Sequence, residues 1–159
     1  MPRELSKVVI RRAPLLIIGA ALMFVALGVA SADVPINKGA DNVAIGGYDT
    51  VAYFTEGTAL KGRSEFAFVW RDARWLFSSQ EHRDRFTATP ERYAPHFGGH
   101  CAGAMTRGVV VKADPEAWTI VDGKLYMKVN TAARERWREK PQENIAKGDE
   151  AWSKMTGQE

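Results

Sequence analysis

Residues 65–88 read EFAFVWRDARWLFSSQEHRDRFTA, and the fold class turns on this stretch. Glu65-Phe66-Ala67-Phe68-Val69-Trp70 is rich in aromatic side chains, the composition of a strand. Arg71-Asp72 forms a tight polar turn, and residues 73–77 return as a second strand, so spacing and composition predict a hairpin. Ser78-Ser79-Gln80-Glu81 has the S-x-x-E form of a capping box, which predicts a helix from Ser79 to about Ala88. It stops before Thr89-Pro90, where Thr89 can cap another short turn through Tyr93.

Upstream, residues 33–42 are polar with one proline and one glycine, and residues 33–44 read as a linker. Val43-Ala44-Ile45, a Gly46-Gly47 turn and residues 48–54 then open the domain, and residues 56–64 form a loop. Downstream, Gly98-Gly99 breaks the chain. Residues 101–106 are small and read as a short helix or an irregular turn, ended by Gly108. Residues 109–111 and 117–121 read as strands. Asp122-Gly123 is a strong two-residue hairpin turn, with residues 124–130 as the partner strand. Residues 131–139 are helical until Pro141, and residues 143–155 form a last helix with Ile145 and Trp152 on its apolar face. Hairpins with helices between and after them predict an α+β domain over residues 45–155: a small antiparallel sheet, packed helices and a C-terminal helical extension. The five tryptophans fall at core-facing positions and read as packing.

The chain has 159 residues with 22 basic and 19 acidic side chains. Residues 1–32 hold Arg3, Lys7, Arg11, Arg12 and Glu4, which account for the whole formal charge of +3. The remainder is balanced, so no basic stripe marks a nucleic-acid partner. A charged start, an apolar run over residues 15–29 and the small-residue end Ala30-Ser31-Ala32 describe a signal peptide cleaved after Ala32. The mature chain is then periplasmic or secreted, and meets a membrane only through the signal peptide before cleavage. An uncleaved anchor is the less favoured reading. Arg11-Arg12 lacks a preceding serine, which favours ordinary unfolded export over the twin-arginine route. Cys101 is the one cysteine, which excludes intrachain disulfides and a four-cysteine zinc site.

Three segments together resemble the secreted YHS-domain proteins, selenoprotein members included. They are Gly46-Gly47-Tyr48-Asp49-Thr50-Val51-Ala52-Tyr53-Phe54, the run WLFSSQEHRDRFTATPERY over residues 75–93, and Asp114-Pro115-Glu116-Ala117-Trp118 followed by Asp122-Gly123-Lys124-Leu125-Tyr126. The middle run is shared with YHS domains in general and with related cysteine-rich modules that handle heavy metals. The resemblance implies a copper or zinc association through cysteines at set places. Two of those places are changed here. Ala52 stands where the metal-handling modules have a cysteine after Asp-Pro-Val. Phe77-Ser78-Ser79-Gln80-Glu81-His82 stands for their Phe-Cys-Ser-x-x-Cys, so that superfamily's thiolate site is absent. In the selenoprotein members the selenocysteine falls at the position matching Cys101, which implies redox chemistry or a soft metal there.

His96-Phe97-Gly98-Gly99-His100-Cys101 concentrates two of the three histidines and the cysteine within six residues. Thiolate and imidazole suit zinc and copper, and soft Cu(I) tolerates two or three such ligands. Gly98 and Gly99 would let the backbone bend so that His96 and Cys101 converge. The leading expectation is an exported carrier or sensor, not an enzyme, that binds copper or zinc through Cys101 with His100 and His96 in support. The alternative is a thiol-dependent redox protein in which Cys101 is oxidised to a sulfenic acid or mixed disulfide. With no resolving thiol in the chain, that mechanism needs a redox partner protein. A third reading is a non-catalytic binding or interaction module in which Cys101 is a small buried hydrophobe.

Ser78 and His82 sit one helical turn apart. They read either as part of a polar pocket with Tyr48 and Tyr53 or, preferably, as an N-cap and a half-buried histidine. Asp49, Glu81 and Asp84 show no pairing from spacing alone.

Overall fold

The computed structural model describes residues 35–157, and the expected signal peptide lies outside the described residues. The domain has the α+β architecture that its hairpins and helices predict. Its strands form two separate antiparallel hairpins where one small sheet was expected.

The chain enters through a 3-10 turn at Ile45–Gly47 and a one-turn helix, α1 (Ala52–Thr55). Strands β1 (Arg63–Trp70) and β2 (Ala73–Phe77) form the first hairpin. Its turn residues, Arg71 and Asp72, both have positive φ (47° and 52°), the twist that matches two right-handed strands in a two-residue loop. Helix α2 (Gln80–Ala88) follows, then the short α3 (Pro90–Tyr93), a 3-10 turn at His96–Gly99 and the one-turn α4 (Ala102–Met105). Strands β3 (Asp114–Val121) and β4 (Lys124–Lys128) pair across Asp122-Gly123. Helices α5 (Thr131–Arg138) and α6 (Pro141–Thr156) close the chain. Among the described residues no helix is long and apolar enough to cross a membrane.

Helix α2 starts as the capping signal predicts, but the cap is Ser79, whose hydroxyl accepts the amide of His82 at 3.2 Å. Asn130 caps α5 in the same way through the amide of Ala133 at 2.8 Å, satisfying a first-turn donor that has no intrahelical partner.

Two cores share strand β4. One gathers Trp75, Phe77, Phe86, Tyr53, Leu125 and Met127; the other gathers Phe97, Met105, Tyr126, Trp137 and Trp152. Successive strand side chains point to opposite faces, so Leu125 and Met127 serve the first core while Tyr126 serves the second. Lys128 follows Tyr126 on that second face and is fully buried. A strand covered on both faces carries no polar–apolar alternation, which is why its sequence does not announce a buried lysine.

Two further expectations are corrected. The supposed linker is part of the domain from residue 36 onward. Asn37 is buried, its amide nitrogen donates to Gly98 O at 2.8 Å and its side chain donates to Gly99 O at 3.0 Å. The backbone of Ala44 donates to Arg74 O at 2.9 Å, and Arg74 donates to Asn42 O at 2.8 Å. A short polar segment reads as a linker because its bonds are made by backbone, which composition does not record. Residues 109–111 are the second case. They form no strand, and Val109, Val110 and Val111 are 47%, 43% and 37% exposed.

Candidate functional site

Cys101 occupies the residue before α4. Its amide donates to Val111 O at 2.9 Å, and its backbone forms a parallel bridge with Met127 of β4. These contacts fix the thiol against the second core, where it is 3% exposed. It lines a cavity of about 410 Å³ whose wall also includes Arg107, Val111, Arg136, Trp137 and Asn144. A Cβ added to Gly103 would lie 3.8 Å from Cys101 Sγ and 3.9 Å from Trp137 Cδ1. The thiol and the pyrrole edge of the indole therefore flank the same point. Trp137 is 4% exposed, and its Nε1 has no hydrogen-bond partner.

Lys128 is buried within electrostatic range of Cys101, though it does not line the cavity. Its Nζ donates to Tyr126 O at 3.1 Å and sits 3.9 Å from the centroid of the Trp137 ring. Burial pulls its pKa down from 10.5 to about 7; Cys101 opposes that fall, while Arg134 and Arg138 add to it. The protein thus holds a buried amine whose proton affinity lies near neutrality and which feels the charge of its one thiol. Nothing in residues 124–130 identified Lys128 in advance, since its burial follows from the second core closing over β4.

The two histidines are placed elsewhere. His100 and Cys101 both have extended backbone (φ −77°, ψ 166° and φ −63°, ψ 113°), and neighbouring side chains on such backbone leave on opposite sides. His100 is buried with neither ring nitrogen in a hydrogen bond. Burial lowers its proton affinity, and the carbonyls of Val111 and Pro35 counter this only in part. His96 Nε2 lies 2.6 Å from Asp149 Oδ1, and its ring stacks against Phe97 and Tyr126. It lines a different cavity, of about 350 Å³, with Asp149 and Trp152. Gly98 and Gly99 do bend the chain, with φ of 60° and 81°, but His96 and Cys101 line different cavities. Among the described residues no three His, Cys, Asp or Glu side chains are grouped so as to hold a metal ion. Cys101, His100 and His96 as arranged here do not fit a shared copper or zinc centre.

The other polar cluster is built on Asp49, which is fully buried. Its Oδ1 accepts the amides of Val51 (2.9 Å) and Ala52 (3.3 Å). Its Oδ2 accepts the Ser78 amide (2.8 Å), the Ser78 hydroxyl (2.6 Å) and His82 Nδ1 (2.7 Å). His82 Nε2 lies 3.3 Å from Thr55 Oγ1 and 3.5 Å from Glu56 Oε1. The carboxylate meets five donors from the chain itself, so the cluster fastens the start of α1 to the start of α2. Tyr48 and Tyr53 do not line it: their hydroxyls donate to Glu116 Oε1 at 2.9 Å and Pro115 O at 2.7 Å. The local signal for Asp49 was its position two and three residues before the first amides of a helix. Its partners at residues 78 and 82 were not visible from spacing.

Compared with protein-family models, characterised proteins and solved structures, the chain matches none.

Proposed function

We propose that the protein is an exported YHS-type module that works through the thiol of Cys101, as a redox thiol and not as a hydrolytic or acid–base enzyme. One observation carries this reading: Cys101 lines a cavity of about 410 Å³, with the buried amine of Lys128 within electrostatic range. A thiol reacts as its thiolate. An amine that titrates near pH 7 is suited to take the thiol proton and return it. Cys101 is the sole cysteine, so an oxidised form must be resolved by a thiol from another molecule.

The test is the alkylation rate of the native full chain by iodoacetamide at pH 6 and pH 7.5, beside Lys128→Met and the urea-unfolded chain. Native Cys101 is expected to react at least as fast as the unfolded thiol, and Lys128→Met to slow it about tenfold. A thiol that reacts only after unfolding would overturn the proposal and leave an interaction module with Cys101 as packing.

The metal-carrier reading stands second, favoured by one observation. The buried His100 imidazole, next in sequence to Cys101, faces only the backbone carbonyls of Val111 and Pro35 and makes no well-aligned hydrogen bond to them. It requires the backbone at residues 100–101 to turn so that both side chains face one way. Metal content after Cu(I) reconstitution separates the two: one copper per chain, lost in both Cys101→Ser and His100→Ala, would favour the carrier.

A further inference from the structure

The cavity around Cys101 has a chemical preference of its own. Its lining contains two arginines, Arg107 and Arg136, and no aspartate or glutamate. Among the described residues neither guanidinium pairs with a carboxylate. The nearby Glu135 is already held by Arg134 and Arg138 at 3.0 and 3.5 Å. Outside residues 1–32 the chain has as many acidic as basic side chains. The positive charge at this mouth is therefore a local arrangement and not a general basicity. Val111, Val129 and the Trp137 ring supply an apolar wall. Trp137, whose buried indole N–H has no hydrogen-bond partner, stands in that wall. A volume of about 410 Å³ lies in the range that holds a small molecule. An apolar body and negative charge at the rim describe its occupant.

Joined to the thiol chemistry above, on which this inference rests, the geometry points to a small anionic disulfide as the molecule this pocket takes. Cys101 Sγ attacks one sulfur of the ligand. The Sγ–S bond forms as the ligand's own S–S bond breaks, and half of the ligand remains on the protein as a mixed disulfide. The other half leaves as a thiolate and takes up the proton that Cys101 gave away. The ligand disulfide is the oxidant and Cys101 is oxidised, so no further co-reactant is needed. A second small thiol reverses the step, which answers the absence of a resolving cysteine.

The reduced full chain is mixed with oxidised glutathione (anionic), bis(2-hydroxyethyl) disulfide (neutral) or cystamine (cationic) at low ionic strength. Mixed-disulfide formation is followed by intact mass. Each rate is divided by the rate of the urea-unfolded chain with the same reagent. The anionic reagent is expected to lead the cationic one by about tenfold or more, the scale of local charge steering, and 0.5 M salt is expected to erase most of that lead. In Arg107→Gln/Arg136→Gln, two exposed positions, the preference is expected to vanish, the anionic reagent no longer leading the cationic one. Equal normalised rates for all three reagents in the original chain would overturn the inference and leave the thiol function standing. If no reagent modifies the native thiol, both fail together.

Discussion

Replacing Lys128 with methionine tests the central electrostatic claim. The lysine is fully buried on the face of β4 that meets Trp137. Its pKa falls from 10.5 to about 7, chiefly through burial. The fold therefore disfavours the ammonium by roughly 5 kcal/mol relative to water. Between pH 7 and 10.5 the unfolded chain keeps the proton while the folded chain has released it. Stability accordingly rises with pH across that window and is lowest below it. Integrated from pH 7 to pH 10, this one group contributes a rise of roughly 3 kcal/mol. Lys128→Met keeps most of the aliphatic packing and removes both the titration and the single hydrogen bond to Tyr126 O. We expect the variant to be about 2–4 kcal/mol more stable at pH 7, with the advantage shrinking to about 1 kcal/mol or less at pH 10. The charged and titratable groups around Lys128 are Cys101, Arg134 and Arg138. The arginines stay charged throughout, and the comparison is repeated in a Cys101→Ser background to remove the thiol. The assay is urea unfolding at four pH values between 7 and 10. Stability curves that run parallel for the two proteins would refute the reasoning, because a lysine that titrates normally in the fold leaves no pH-dependent difference.

Three further outcomes follow from packing. Asp49→Asn places an N–H among donors whichever way the amide turns, and is expected to cost about 3 kcal/mol or more in urea unfolding; a loss under 1 kcal/mol would contradict the five-donor arrangement. Gly148→Ala sits inside α6, where helix propensity alone favours alanine by about 1 kcal/mol. The new Cβ would lie 2.6 Å from Cζ of the buried Phe97, so a net loss of about 1–3 kcal/mol and a lower Tm are expected; a raised Tm would show that propensity wins. Gly98→Ala is strained twice, by φ of 60° and by a Cβ overlapping the Pro35 carbonyl. It is expected to lower Tm and to loosen residues 35–37, read as faster exchange of the Asn37 amide.

The hairpins, their turns and the start of α2 were legible in the chain because each depends on neighbours. Arg71-Asp72 and Asp122-Gly123 set a local backbone twist, and Ser79 reaches an amide three residues on. Steric preference and short-range hydrogen bonding decide such features, and both are encoded in consecutive residues. The site was legible only in part. Cys101 was identified by its chemistry, and the two histidines beside it by proximity along the chain. Proximity does not set direction: the extended backbone at residues 100 and 101 turns His100 away from the thiol, and Asp149 from the last helix holds His96 in another cavity. The residues grouped with Cys101 come from three distant places: Arg107 after α4 and Arg136 and Trp137 on α5 line its cavity, and Lys128 at the end of β4 lies within electrostatic range. Asp49 likewise meets Ser78 and His82, 29 and 33 positions away. These meetings are fixed by which apolar faces close on each other. The free energy of burial is proportional to area and carries no direction, so the composition of a strand such as Lys124–Lys128 does not reveal that a second core will cover its lysine. The sequence alone determined the local elements, the balanced charge and the one cysteine. Packing of the two cores decided which side chains from distant parts of the chain gather around that cysteine, because burial rewards area and not sequence order.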